Sequence, residues 1–162
     1  MSRSRLVLDT SPLVLLAKID ALPILPDLAS ELIAPAAVVE EIRAGRGRGL
    51  DLELPEAVPG LRVEPDLPLV PEIAGWDLGA GESQVLAQAL SRPGWEAVLD
   101  DREARRCAHA LALPVTGTLG ILLRAKKAGV IPAARPLVES LVEVGAYLPP
   151  RLTEDALREI GE

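Results

Sequence analysis

The stretch R-L-V-L-D-T-S-P-L-V-L-L, residues 5–16, constrains this chain more than any other. Leu6, Val7 and Leu8 form a short apolar run that reads as a buried strand. The run stops at Asp9, and a second apolar run begins after Thr10, Ser11 and Pro12. Ser11 suits the N-cap of a following helix and Pro12 its first position, where a missing N–H costs nothing. A strand handing over to a helix in this way leaves Asp9 at the strand's carboxyl end. In open α/β sheets ligands bind at that rim, so the rest of the sequence is read for groups that can join Asp9 there.

Behind this turn, strand-like and helix-like segments alternate. A helix is expected over about 12–18, a proline-broken short helix over 20–29, and a strand at Leu32-Ile33-Ala34 ahead of Pro35. Pro35 opens a helix that Gly45 closes. Residues 45–60, starting G-R-G-R-G, read as a mobile loop, and Leu61-Arg62-Val63 as an edge strand. A proline-spaced stretch then runs to Trp76. Gly79–Leu90 is a helix with a glycine-rich start, Ala97-Val98-Leu99 a strand ending in Asp100 and Asp101, and the following R-E-A-R-R-C-A-H-A a helix. A last short strand covers 114–117, with Thr118 expected to cap the next helix. Helices near 134–145 and 153–160 finish the chain. This alternation implies a three-layer α/β/α fold around a mostly parallel sheet of four to five short strands. One domain over 1–150 with a short polar tail over 151–162 fits the length of 162 residues.

Composition excludes several kinds of chemistry. A single Cys107 and a single His109 rule out an internal disulfide framework and a Cys/His zinc site, and a reducing cytoplasm is expected. No apolar run is long enough for a signal peptide or a membrane span. The net charge of −7 argues at first against binding phosphate. Much of it, however, comes from residues 51–82, where eight acids face Arg62 alone. Elsewhere the cations are grouped, at Arg43, Arg46 and Arg48, at Arg102, Arg105 and Arg106, and at Arg124, Lys126 and Lys127. An aromatic content of 2 % removes the rows of stacking platforms that single-strand binders use.

Four further acids can join Asp9. At about 100° per residue, Glu41 lies nearer than Glu40 to the buried edge formed by Val38, Val39 and Ile42; the plain alternative is two acids on a solvated surface. Glu82 stands in line with Val85, Leu86, Ala89 and Leu90, and a carboxylate on that side costs desolvation unless something pairs with it. Its plain alternative is a macrodipole partner, which needs no inward direction. Asp100 and Asp101 leave a strand on the same rim; one can cap the next helix, leaving the other spare. On that helix Cys107 reads as core, with Arg102, Arg105, Arg106 and His109 on the opposite face. Thr116 and Thr118 can lend hydroxyls. Like charges 4 Å apart repel by about 4 kcal/mol at an effective dielectric near 20, so such a cluster must protonate or bind cations. Oxygen-only ligation points to Mg²⁺ or Mn²⁺, one or two ions, and to hydrolysis of a phosphodiester by water.

At this point the ordered segments resemble the PIN-domain family, metal-dependent nucleases that include the VapC-like toxins. L-V-L-D-T-S-P-L resembles its opening strand and first acid, P-A-A-V-V-E-E-I its second acidic helix, G-E-S-Q-V-L its third acid, and V-L-D-D-R-E-A-R-R with P-V-T-G-T-L-G-I-L its last acid and final strand. The resemblance implies a ribonuclease with Asp9, Glu41, Glu82 and Asp101 as catalytic acids. It implies metal ligands among Asp9, Glu82, Asp100 and Asp101, with Ser11 in support; the Thr116 and Thr118 hydroxyls and the grouped arginines at 43, 46, 48, 102, 105 and 106, read from the residues themselves, are the candidates for further support and for RNA contact. It also implies a homodimer held silent by a small antitoxin. Glu82 stands where many members have Asp. The alternative is an inactive member of the same fold acting as an RNA- or protein-binding module. A receiver-like domain fits poorly, since Asp9 stands alone and no lysine follows the last strand, and G-A-G-E-S is a poor nucleotide-binding loop.

Overall fold

A computed structural model describes residues 3–45 and 51–162. Its centre is β1 (Ser4–Leu8), in which Leu6, Val7 and Leu8 are all fully buried. A strand covered on both faces is what an unbroken apolar run requires, and it is the signature of the interior of a parallel sheet. β2 (Ala29–Pro35) lies on one side of it and β4 (Glu96–Val98) on the other; β3 (Leu61–Glu64) and β5 (Val115–Thr116) form the edges. The order is β3-β2-β1-β4-β5 and every pairing is parallel.

The chain therefore steps outward from β1 through β2 to β3, then crosses back to β4 and β5. This reversal makes the gap between β1 and β4 the topological switch point, where the loops after the two strands diverge and leave a crevice. Leu8 pairs with Val98, so Asp9 stands opposite Leu99 and one step from Asp100. Helices α5 (Ala80–Leu90) and α6 (Arg102–Ala110) pack together on one face of the sheet. On the other face, α1 (Thr10–Lys18) and α2 (Ile24–Leu28) pack against α7 (Thr118–Lys127). α3 (Ala36–Ala44) follows β2 and contacts both α1 and α5, and α4 (Pro71–Ala74) precedes α5. α8 (Arg135–Glu143) leans on α7, and α9 (Pro150–Glu159) adds Leu157 to the core. The result is the expected three layers, with five strands, all of them parallel.

Several local expectations need correction. α1 starts at Thr10, with Asp9 in extended conformation at the N-cap, so Ser11 does not cap it and Pro12 is its third residue. Proline is tolerated there because no first-turn N–H has an intrahelical partner. α7 starts at Thr118 after Gly117 at its N-cap, and its capping carboxylate comes from elsewhere in the chain. Of the expected mobile loop over 45–60, the described part from 51 onward is pinned by Leu52, Leu54 and Val58, all buried in the core. α9 opens at Pro150, which suits a first helical position.

α5 departs most from a simple amphipathic pattern. Gly81 and every residue from Ser83 to Ala89 are buried, while Leu90 is exposed. Two buried glutamines make this possible by holding the proline-spaced stretch over the helix. Gln84 accepts from the Leu67 N–H and donates to its carbonyl, both at 2.8 Å, and Gln88 donates to the Pro65 carbonyl at 2.7 Å. Gln84→Ala strips both partners from Leu67. The expected cost is about 1–3 kcal/mol, read as a lower urea midpoint with an unchanged slope.

Candidate active site

Asp9 is the floor of the site. It is 3 % exposed, its N–H is tied to the Val98 carbonyl at 3.2 Å, and its side-chain Oδ1 is buried with no hydrogen-bond partner, the only such side-chain atom among the described residues. Burial is the main force on its carboxyl, pushing the pKa up from 3.8 to about 7. The Thr10 N–H opposes this, and the charges of Glu82, Glu41 and Asp100 add to it.

The neighbouring acids are each tethered to a helix start. Asp100 Oδ1 accepts the Thr118 N–H at 2.8 Å, and Oδ2 accepts the Thr118 hydroxyl at 2.7 Å and the Ser11 hydroxyl at 3.3 Å. It thus caps α7, eighteen residues away. Asp101 caps its own helix, α6, by accepting the Ala104 N–H at 2.9 Å. The expectation that capping leaves one of the pair spare is corrected: both cap. The physical reason is that β4 and β5 are parallel neighbours, so the helices that follow them start side by side on one rim.

Glu41 Oε2 accepts the Thr10 hydroxyl at 2.6 Å and Oε1 the Gly81 N–H at 2.8 Å, at the start of α5. Glu40 points into solvent and pairs with Arg43 at 2.9 Å. Glu82, half-buried, turns back to accept the Gly79 N–H at 3.1 Å. Its pKa is raised, first by burial and then by the charges of Asp101 and Glu41. The fold therefore brings Asp9, Glu41, Glu82, Asp100 and Asp101 into one electrostatic neighbourhood.

Two glycines and a threonine, none of them singled out in the sequence, make this arrangement possible. A Cβ at Gly81 would lie 2.6 Å from Glu41 Oε2, and one at Gly117 would lie 2.9 Å from Asp100 Oδ1 and 2.8 Å from Arg105 Nη1. Glu41 reaches the Gly81 N–H, and Asp100 the Thr118 N–H next to Gly117, only because no side chain stands at either glycine. Thr10 supplies the hydroxyl that fixes Glu41. The available signal was the pair of G-A-G-E and T-G-T patterns at helix starts, where glycine admits close approach.

Asp9, Glu82, Asp100 and Asp101 open into a cleft of about 1320 Å³. Ser11, Thr116 and Thr118 line it as well, with the Thr116 hydroxyl packed against the space at Gly120. One wall is α6, with Arg102, Arg105, Arg106 and His109. Arg105 is committed to the Leu99 carbonyl at 3.1 Å and Arg106 pairs with Glu103 at 3.0 Å. Arg43 does not line the cleft, nor does Glu41, which acts on it through charge; Arg46 and Arg48 lie outside the described residues.

Among the described residues, no three His, Cys, Asp or Glu side chains converge tightly enough to enclose an ion by themselves. Mg²⁺ does not need that, since it keeps several waters and takes one or two carboxylates. The unpartnered Oδ1 of Asp9, surrounded by acids, fits a hard cation of this kind. A pH effect follows. The folded protein keeps a proton on Asp9 that the unfolded chain releases near 4, so in EDTA stability falls as pH rises toward about 7 and then levels. The penalty is on the order of 4 kcal/mol. Asp9→Asn is expected to melt above the wild type at pH values above 7, with the difference vanishing near pH 4 in a calorimetric series.

Comparison with known protein families gives a match to the DUF3368 family model, a PIN domain, over residues 5–162. Searches of curated proteins and of solved structures gave no significant match. The matched span begins inside β1 and runs beyond α9, so it takes in the sheet, the switch point and every acid of the cleft. The chain belongs to the PIN-domain family.

Proposed function

We propose that this protein is a Mg²⁺- or Mn²⁺-dependent endoribonuclease. PIN domains are generally nucleases, and the observation in this chain that carries the reading is the buried, unpartnered Oδ1 of Asp9, whose carboxyl group feels the charges of Glu82, Glu41 and Asp100. Asp9 would hold the ion, with Asp100, Asp101 and Glu82 as the neighbouring carboxylates. A divalent ion bound there neutralises charge on the phosphoryl oxygens and makes water more acidic.

The chain's own groups do the rest. Thr118 and Ser11 fix Asp100, and Asp101 is fixed by the α6 N-terminus, so the acids need little rearrangement on binding. Glu82 has its Oε2 engaged by Gly79, which leaves Oε1 to take the proton of the attacking water. Water oxygen bonds to phosphorus, the bond to the leaving sugar oxygen breaks, and that oxygen takes a proton from solvent while Glu82 later gives its own back to solvent. Arg102, Arg106 and His109, on the α6 wall, meet the phosphates of the strand.

Family membership also supports a narrower reading: the toxin of a toxin–antitoxin pair, a homodimer in the cytoplasm silenced by a small antitoxin protein. No helix among the described residues is long and apolar enough to cross a membrane.

Incubation of the purified chain with single-stranded RNA and Mg²⁺ or Mn²⁺ is expected to give cleavage that EDTA stops and that Asp9→Asn reduces by at least about 100-fold. Cleavage indifferent to both would refute the proposal. A folded chain that binds RNA but no divalent ion would instead be a non-catalytic binding module. Gly81→Ala gives a subtler check. Its Cβ meets the Glu41 carboxylate and must displace it from the Gly81 N–H and the Thr10 hydroxyl, so stability should fall by about 1–3 kcal/mol and cleavage should fall as it does in Glu41→Gln.

A further inference from the structure

The cleft is larger than a hydrated ion and one phosphate need; at about 1320 Å³ it exceeds the roughly 300–1,000 Å³ of sites that enclose a whole small ligand. The extra space is apolar. It is lined by Leu119 and Leu123 of α7, Leu148, Leu152 of α9, and Tyr147 in the segment joining α8 to α9. Leu152 is 67 % exposed and Tyr147 is 88 % exposed.

The use of aromatic residues sharpens the point. The chain has two tryptophans and one tyrosine. Trp95 is buried between Arg5 and Arg92, whose guanidinium carbons lie 5.9 and 5.8 Å from its ring centre. Trp76 is half-buried with Arg106 at 6.0 Å. Tyr147 alone presents its ring almost fully to solvent, and it does so inside the cleft that holds Asp9. An exposed ring contributes little to folding, whereas an exposed apolar surface beside a polar site marks a place for a ligand.

That ligand must suit three surfaces at once: an acidic floor, a wall bearing Arg102, Arg106 and His109, and an apolar shelf. Single-stranded nucleic acid carries anionic phosphates alternating with unstacked bases, whereas a duplex hides its base faces. The geometry points to Tyr147, with Leu152 beside it, as a nucleobase-stacking subsite that takes one unpaired base of an RNA strand whose phosphates lie along α6. This inference rests on the nuclease reading only for the position of the cut; the binding itself stands apart from it. The scarcity of aromatic residues still excludes a row of platforms, but a nuclease needs only one base held to position one phosphate.

The test uses the full chain carrying Asp9→Asn, which prevents turnover, and a short fluorescein-labelled single-stranded RNA of mixed sequence followed by anisotropy. Adding Tyr147→Ala is expected to weaken binding by roughly 5- to 100-fold, and Tyr147→Phe to retain most of the affinity. The Ala-dependent loss should disappear for a strand of abasic residues and for the same sequence as a duplex. In the active chain, Tyr147→Ala should raise KM and leave kcat nearly unchanged. Equal affinity of the Ala variant and its parent, an effect of Phe as large as that of Ala, or no RNA binding by the parent would each overturn the proposal. So would sedimentation showing that Tyr147→Ala dissociates a dimer or releases a bound protein while RNA affinity is unchanged. If cleavage persists with no Tyr147 effect, the subsite alone fails; if Tyr147-dependent binding persists without cleavage, the nuclease reading alone fails.

Discussion

One carboxyl group governs the design of this molecule. Asp9 sits where the strand order reverses, at the end of the central strand, and among the described residues one of its oxygens has no partner. A buried polar atom left unsatisfied costs on the order of 1–3 kcal/mol, and negative neighbours increase that cost. The protein tolerates this because β1, with Leu6, Val7 and Leu8 completely enclosed, anchors Asp9 from behind. Stability sacrificed at one position in this way is characteristic of a site prepared for a ligand.

Around Asp9 a single construction is repeated. A helix begins on the carboxyl rim of the sheet, and a carboxylate accepts one of its unpaired first-turn amides. Asp101 serves α6, Asp100 serves α7, and Glu41 and Glu82 both engage the start of α5, at Gly81 and Gly79. Each contact satisfies a helix terminus and at the same time immobilises an acid. Folding and site assembly are thus one process, and the acids are held in place by the fold itself. Capping satisfies these acids and leaves Asp9 as the group that most needs positive charge.

Much of this was legible from residue order. The apolar run ending in Asp9 announced both the central strand and its rim. The helical period separated Glu41 from the solvated Glu40, but it was a poor guide on α5, which is buried nearly all round while Glu82 is half-buried and Leu90, read as part of its apolar stripe, is exposed. What could not be read depended on strand order. Asp100 finds Thr118, and Glu41 finds Gly81, only after parallel strands bring distant helix starts together. The N-cap of α1 was misassigned because Asp9 itself adopts the extended cap conformation, which Ser11 has no chance to use. Tyr147 was invisible for a different reason: composition counts aromatic rings but does not say which of them remains in solvent.

The central claim is that Asp9 is held partly protonated by its surroundings until a divalent ion takes the place of the proton. An NMR pH titration of the Asp9 side-chain carboxyl carbon, in EDTA and again in saturating Mg²⁺, tests it most directly. The account predicts a midpoint near 7 without the ion and one well below the ordinary carboxylate value with it. A midpoint near 4 under both conditions would contradict it.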